Sequence, residues 1–322
     1  MYKTYLWKVK PTSSYITPWQ SDTIYGHLLW AVLFLYGEEE LNEIIGSFKS
    51  YKPPFICSNG FVNDEFPLIK KSLILREDVK KISQDIYGDN NPRELIKTIR
   101  GIKESNKRKT IGFNEFEKLR EGGTNEELLK SLLKERKIEK KGIFTEIPIM
   151  HNVVNRLSGV TEENGIYTLN EKFLDGEISI FIKVREDFPL EKLDSLLKYI
   201  EINGFGKKVS SGKGQVERVE FREFNEFKNV ENANGFVVLS NFIPKFGDYN
   251  EVVTGNIITK RGKTSNDIDT PEFPFKKPFV CYTPGSLFKK GDNKIVGNIL
   301  KNIHIDSRII QIGIPFVVEV KI

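Results

Sequence analysis

DFPLEKLDSLLKYIEINGFGKKVSSGKGQVERVEF, residues 187–221, places a helix, a glycine-rich loop and a strand in immediate succession. Asp187 precedes Phe-Pro-Leu, with Pro189 suited to a first helical turn, and Leu193, Leu196, Leu197 and Ile200 recur on one helical face. The strand at about 214–222 follows the loop. Between them, GFGKKVSSGKGQ (204–215) packs four glycines, two serines and three lysines into twelve residues. Glycine lets a backbone take positive φ and lets another molecule approach its amides. Lysines beside such a backbone suit an anion, most often phosphate.

No mononucleotide motif fits this loop. A Walker A loop needs G-x-x-x-x-G-K-[ST]. Five residues separate Gly206 from Gly212, and Gly214 follows Lys213 where Ser or Thr is required. GNIITKRGKTS (255–265) ends correctly in Gly262-Lys263-Thr264, but Gly255 stands two residues too far upstream. A Rossmann fingerprint follows a strand and opens a helix, the reverse of the order here. The remaining readings are a polyphosphate chain held by amides, hydroxyls and ammoniums, or a turn needed only for chain geometry.

Working outward, Glu177–Val184 alternates as a strand, Ile143–Ile149 reads as another, and residues 2–10 alternate near the N-terminus. Ser21 offers an N-cap with Asp22 in the first turn; Ile24, Leu28, Ala31 and Leu35 follow at helical spacing, and Gly37 is placed to end that helix. Phe48–Phe66 is Pro-rich and reads as irregular. Strand, helix, two strands, helix, strand is the split βαβ order of a ferredoxin-like domain. GFVVLSNF (235–242) opens a second β-rich region that ends with IIQIGIPFVVEV (309–320). The expected class is therefore α+β, with residues 1–225 as a first domain and 234–322 as a second of similar type.

The net charge of +5 is unevenly spread. Residues 69–141 carry 20 Lys+Arg against 13 Asp+Glu, so the rest of the chain is slightly acidic. This segment reads as helical pieces with polar breaks at 88–92 and 121–127, a basic insertion at about 70–141. A surface meeting a polyanion produces such a pattern, and so does a solvated, charge-rich insertion. The longest apolar run, Leu28–Tyr36, has nine residues, against roughly 20 for a membrane span. No signal-peptide core is recognisable, and two cysteines give neither metal spacing nor a disulfide framework, so a soluble, cytoplasmic protein without metal or cofactor is expected.

Catalysis finds little support. His27, His151 and His304 are far apart in sequence, and none has a Cys, His or carboxylate at metal-ligand spacing; His304 and Asp306 would share one strand face. His27, near the start of the first helix, is where a general base for RNA cleavage would sit. In MHNVVNRLSGVTEENGIYT (150–168), His151, Asn152, Asn155 and Arg156 set hydrogen-bonding groups and a charge on an extended piece before a polar turn at 161–165. Such groups hold phosphate, ribose or base edges, or else form the polar edge of a hairpin.

Together, ITPWQSDTIYGHLLWA (16–31), HNVVNR (151–156), FGKKVSSGKGQ (205–215), PGSLF (284–288) and QIGIPFVVEV (311–320) resemble the RAMP superfamily of CRISPR proteins. More narrowly, they resemble the subunit of the type III-A (Csm) effector that holds the 5′ handle of the guide RNA (crRNA). The resemblance implies two ferredoxin-like, RRM-like domains and no catalytic activity. It implies partners in the single-stranded crRNA handle, the large palm-polymerase signature subunit and a backbone RAMP subunit, and no membrane. Gly204, Gly206, Lys207, Lys208, Ser210, Ser211, Gly212 and Lys213 would line the handle. His151, Asn152, Asn155 and Arg156 would lie along the RNA path, and Thr17, Gln20, Ser21 and Asp22 would sit beside the loop. The rival expectation is a metal-independent endoribonuclease that matures guide RNA, with His27 or His151 near the loop and a lysine for the developing charge.

Overall fold

A computed structural model describes residues 1–72, 74–75, 77–88, 91–134, 143–264 and 274–322. Parts of the basic insertion, including Asp89, Asn90 and 135–142, and residue 265 of the second glycine-containing segment lie outside the described residues.

The chain begins with β1 (Tyr2–Pro11) and α1 (Ser21–Lys49). Three short strands follow: β2 (Phe55–Cys57), β3 (Phe61–Val62) and β4 (Phe66–Pro67). The insertion supplies α2 (Asp78–Tyr87), α3 (Pro92–Lys107), β5 (Thr110–Ile111), α4 (Phe113–Arg120) and α5 (Asn125–Lys134). Next come β6 (Ile143–Val154), β7 (Thr161–Asp175), β8 (Ile178–Arg185), α6 (Leu190–Asn203) and β9 (Val216–Glu223).

The first sheet runs β9-β1-β8-β2, every pair antiparallel, with β3 added to β8. Numbered by their order along the chain, these four strands run 4-1-3-2 across the sheet. β1 sits centrally between β8 and β9, and its Leu6, Trp7 and Val9 are buried. Trp7 lies under α6, donating its indole N–H to Glu201 at 2.8 Å, while Cys57 on β2 donates its amide to Tyr25 of α1. On the opposite face Phe181 packs on Phe66, Phe224, Phe227 and Phe316, and Phe66 stacks on Phe116 of α4. The sheet is thus filled from both sides, α1 and α6 on one and the insertion on the other.

Four local expectations change. The strand pairing with β8 is not 143–149 but β2, three buried residues within the Pro-rich stretch that read as irregular. Residues 143–154 instead pair with 161–175 as a long two-stranded hairpin outside that sheet. Its turn falls at 155–160, not 161–165: the Asn155 side chain accepts the amides of Leu157 and Ser158 at 2.9 and 3.2 Å, closing the turn early. Gly37 interrupts α1 at φ 88°, but the chain resumes a helical path to Lys49. Helix α6 starts at Leu190 with Pro189 at its N-cap position, and Asp187 pairs with Arg185 instead of capping it.

The remainder is β10 (Gly235–Val238), β11 (Tyr249–Thr254), β12 (Ile257–Lys260), β13 (Phe279–Tyr282), β14 (Leu287–Lys290), β15 (Asn298–Leu300), β16 (Gln311–Gly313) and β17 (Val317–Val320). β17-β10-β14-β11 form a second antiparallel sheet that repeats the 4-1-3-2 order. Among the described residues no helix follows β9, so connecting segments and the pairs β12-β13 and β15-β16 stand where helices would. His304 and Asp306 sit in a turn, not on one strand, with the Asp306 amide donating to His304 Nδ1 at 3.0 Å.

The two sheets share one hydrophobic cluster, running from Trp7 and Phe181 to Val237, Leu287, Phe316 and Val320. Lys183, half-buried, donates to the Val317 carbonyl at 2.7 Å and lies 4.9 Å from the Phe316 ring centre. Burial holds its ammonium down at about 8.

Candidate nucleic-acid interface

Helix α6 ends because Gly204 leaves the helical region at φ 84°, its amide still bonded to Ile200 O. Phe205 then turns inward, buried, and stacks face to face on Trp19 with ring centres 3.8 Å apart. The His27 ring centre lies 4.8 Å from that of Phe205, and its Nε2 accepts the Gly206 amide at 3.0 Å. Thr17 Oγ1 accepts the Lys207 amide at 3.0 Å. Gly206 is required here: at φ 89° a Cβ would sit 2.5 Å from Thr17 Cβ. The segment before α1, through Thr17 and Trp19, and the first turns of α1, through His27, therefore form the floor of the loop.

Above that floor the backbone turns outward. Lys208 adopts φ 64°, a 3-10 turn spans Val209–Ser211, and Gly212 follows at φ 75°. Lys207, Lys208, Ser210, Ser211 and Gly212 are exposed. Gly214 closes the loop, with its amide on Ser14 O and the Phe205 amide on its own carbonyl, both at 2.8 Å. A short loop locked at its base and bare at its crest presents hydroxyls, ammoniums and backbone to solvent.

Lys213 behaves differently from its two neighbours. Its Nζ donates to Glu171 Oε2 at 2.6 Å and to Ser14 Oγ at 3.1 Å, and Ser14 donates to the same carboxylate oxygen at 2.6 Å. Glu171, on β7, is fully buried. Burial pushes its carboxyl up, but the hydrogen bonds from Lys213 and Ser14 and the charge of Lys213 outweigh it and hold the group below the usual carboxylate range. His151 Nε2 lies 3.3 Å from Glu171 Oε1 without hydrogen-bond geometry, and its ring stacks on Tyr167, centres 5.4 Å apart. The Tyr167 hydroxyl accepts Lys208 Nζ at 3.0 Å. Glu171 and Tyr167 thus join the β6-β7 hairpin to the loop.

The expected residues divide accordingly. Thr17 reaches the loop, and His151 meets it through Glu171 and Tyr167. Asn152 reaches Thr161 across the hairpin at 3.3 Å, Asn155 closes the turn, and Arg156 is exposed at the hairpin tip. Gln20, Ser21 and Asp22 meet the C-terminal part of the chain instead: Lys260 Nζ, on β12, is 2.6 Å from Gln20 Oε1 and from both Asp22 oxygens, and the Asn241 backbone amide donates to Ser21 Oγ at 3.2 Å. Ser21 is not the N-cap; it is the first helical residue, and Gln20 precedes it. Trp19, Phe205, Ser14, Glu171 and Tyr167 were not assigned from sequence. Glu171 has a sequence signal, a charge on the inward-facing register of an otherwise alternating strand.

As a general base, His27 has its Nε2 lone pair committed to Gly206 N–H, and burial depresses its imidazolium to about 4. Among the described residues no three His, Cys, Asp or Glu side chains group to hold a metal ion, and no helix is long and apolar enough to cross a membrane.

No protein-family model matches the chain, and no curated protein matches it. Solved structures do. A Csm1-Csm4 cassette in complex with pppApA matches at TM-score 0.55 and 14% identity, over 99% of this chain and 98% of that one. The same cassette with AMPPNP gives 0.55 and 16% over the same shares. The Csm3-Csm4 subcomplex of the type III-A CRISPR-Cas interference complex gives 0.56 and 17%, over 98% of each chain. Csm4 is the component these complexes have in common, and along nearly its entire length this chain shares its fold with them.

Proposed function

We propose that this chain is the RNA-binding subunit of a type III-A CRISPR effector that holds the 5′ handle of the crRNA, acting in antiviral defence in the cytoplasm. The observation that carries the proposal is the exposed crest of the glycine-rich loop. Lys207, Lys208, Ser210 and Ser211 stand on a base fixed by Trp19, His27 and Thr17, so anion-binding groups are presented without being free to collapse. The fold likeness to Csm4-containing complexes and the quoted motifs support the same reading. In it, both 4-1-3-2 sheets are ferredoxin-like, the second with no helix among the described residues, with the domains divided as 1–225 and 234–322. The partners are the large signature subunit and a backbone RAMP subunit, in keeping with the fold likeness to the Csm1-Csm4 and Csm3-Csm4 complexes. The chain itself is non-catalytic.

The rival endoribonuclease keeps one specific point, His151 held near Lys213 through Glu171. Both side chains are directed at a buried carboxylate, which favours a structural joint. An anisotropy titration of the purified protein against labelled crRNA, with and without its handle, tests the proposal, with the same samples run on a denaturing gel. Tighter binding with the handle and uncut RNA is expected. Metal-independent cleavage, lost in His151→Ala, would establish the rival.

A further inference from the structure

Helix α3 of the basic insertion carries a feature that the loop does not explain. Its inward face is made by Thr98 and Gly101, the latter so close to α5 that a Cβ would meet Leu133 Cδ2 at 2.1 Å. On the opposite face Arg93, Ile96, Arg100, Lys103 and Lys107 are all exposed. Spaced 3, 4, 3 and 4 residues apart, they fall within an arc of about 80° and run for about 21 Å along the helix. None of the four cations takes part in an ion pair among the described residues, whereas Lys97, beside them, is paired with Glu94 at 2.8 Å. Of the acidic side chains on α3, Glu94 is thus occupied and Glu104 flanks the stripe.

We propose that this stripe binds the phosphate backbone of RNA at a second place, beyond the handle, a reading that rests on the RNA-binding function proposed above. Four unpaired cations in one line complement a regularly spaced polyanion. Arginine forks at 93 and 100 suit phosphate oxygens in particular. A protein partner would call for a broader apolar surface than the exposed Ile96 and Ile99 provide. The bundle is attached through α4 to the sheet face opposite α1 and α6, so the phosphates it meets are a different segment from those at the glycine-rich loop.

The test uses the full chain with Arg93→Gln, Arg100→Gln, Lys103→Gln and Lys107→Gln combined, beside a Lys207→Ala/Lys208→Ala chain. Affinity is titrated against salt for handle-only RNA and for complete crRNA. At about 0.7 per phosphate contact on single strands, the stripe variant should lower the log–log salt slope by roughly 3 on complete crRNA and leave handle-only binding unchanged. The loop variant should weaken both. An unchanged slope for the stripe variant on complete crRNA overturns the stripe while leaving the handle reading in place. Loss of co-purification with the large subunit, at unchanged RNA affinity, also overturns it and makes the occupant an acidic protein surface. Handle binding that survives in the loop variant, with a slope that falls in the stripe variant, sinks the handle reading instead. All four side chains are solvated, so a circular dichroism melt should match wild type.

Discussion

His27 Nε2 accepts the amide of Gly206 at 3.0 Å, joining the first helix to the loop that follows the last helix of the first sheet. Protonation would turn that acceptor into a donor and break the contact. Burial lowers the folded-state value to about 4, against an ordinary 6.5. The unfolded chain therefore binds the extra proton first, and stability is lost as pH falls from about 6.5 towards 4. The expected cost is roughly 1.4 kcal/mol per pH unit within that window. Chemical denaturation between pH 7 and 4.5 measures it, and His27→Gln should flatten this component.

Gly214 and Gly212 both adopt positive φ, yet only one is crowded. A Cβ at Gly214 would lie 2.0 Å from Phe205 O, whereas at Gly212 nothing lies within 4 Å. Gly212→Ala should cost about 1 kcal/mol of backbone strain. Gly214→Ala should cost upwards of 2 kcal/mol, because the loop must open to admit the methyl group. Thermal melts that ranked the two equally would contradict this account of the loop base.

Lys213 is expected to act on stability more than on RNA. Lys213→Met strips a buried carboxylate of its cation, a loss of roughly 3 kcal/mol. Without the lysine, burial raises the Glu171 carboxyl, so the folded state holds its proton more tightly. The deficit should accordingly shrink as pH falls below about 5. Lys213→Met/Glu171→Leu should recover much of the loss, a comparison that denaturant midpoints at pH 7 provide.

Lys207 and Lys208 are the reverse case. Lys207→Ala/Lys208→Ala should leave the melting temperature nearly unchanged and lower the salt slope of handle binding by about 1.4, two contacts at 0.7 each. The weakening should be uniform across handle sequences, since phosphates carry no base identity. Loss confined to one sequence in a binding panel would assign these lysines to base edges instead.

The periodic elements were readable because burial on one side leaves a period. The apolar face of α6 is of this kind and forms where the spacing places it; Glu177–Val184 alternates in sequence and also forms, although β8 is buried on both faces. Phe55–Cys57 left no trace, since three residues buried on both faces have no alternation to show. The strand count was consequently filled by 143–149, which alternates just as well in a hairpin outside the sheet. The loop's chemistry was legible from composition. Its floor was not, because Trp19 and Phe205 find each other across 186 residues of sequence, and a serine that looked like a helix cap was committed to Asn241 and Asn59 in distant segments.

The shared core has a practical consequence for dissecting the molecule. Cutting between 225 and 234 would remove Phe316 from the Phe181 and Phe227 cluster, and would strip Lys183 of the carbonyl that receives its buried ammonium. Arg120, which is buried, would lose the Glu319 carbonyl. The topological seam is therefore no folding seam. The last strand works as a keystone, and a fragment ending before it should aggregate or stay unfolded, even though every residue of the glycine-rich loop is present in it.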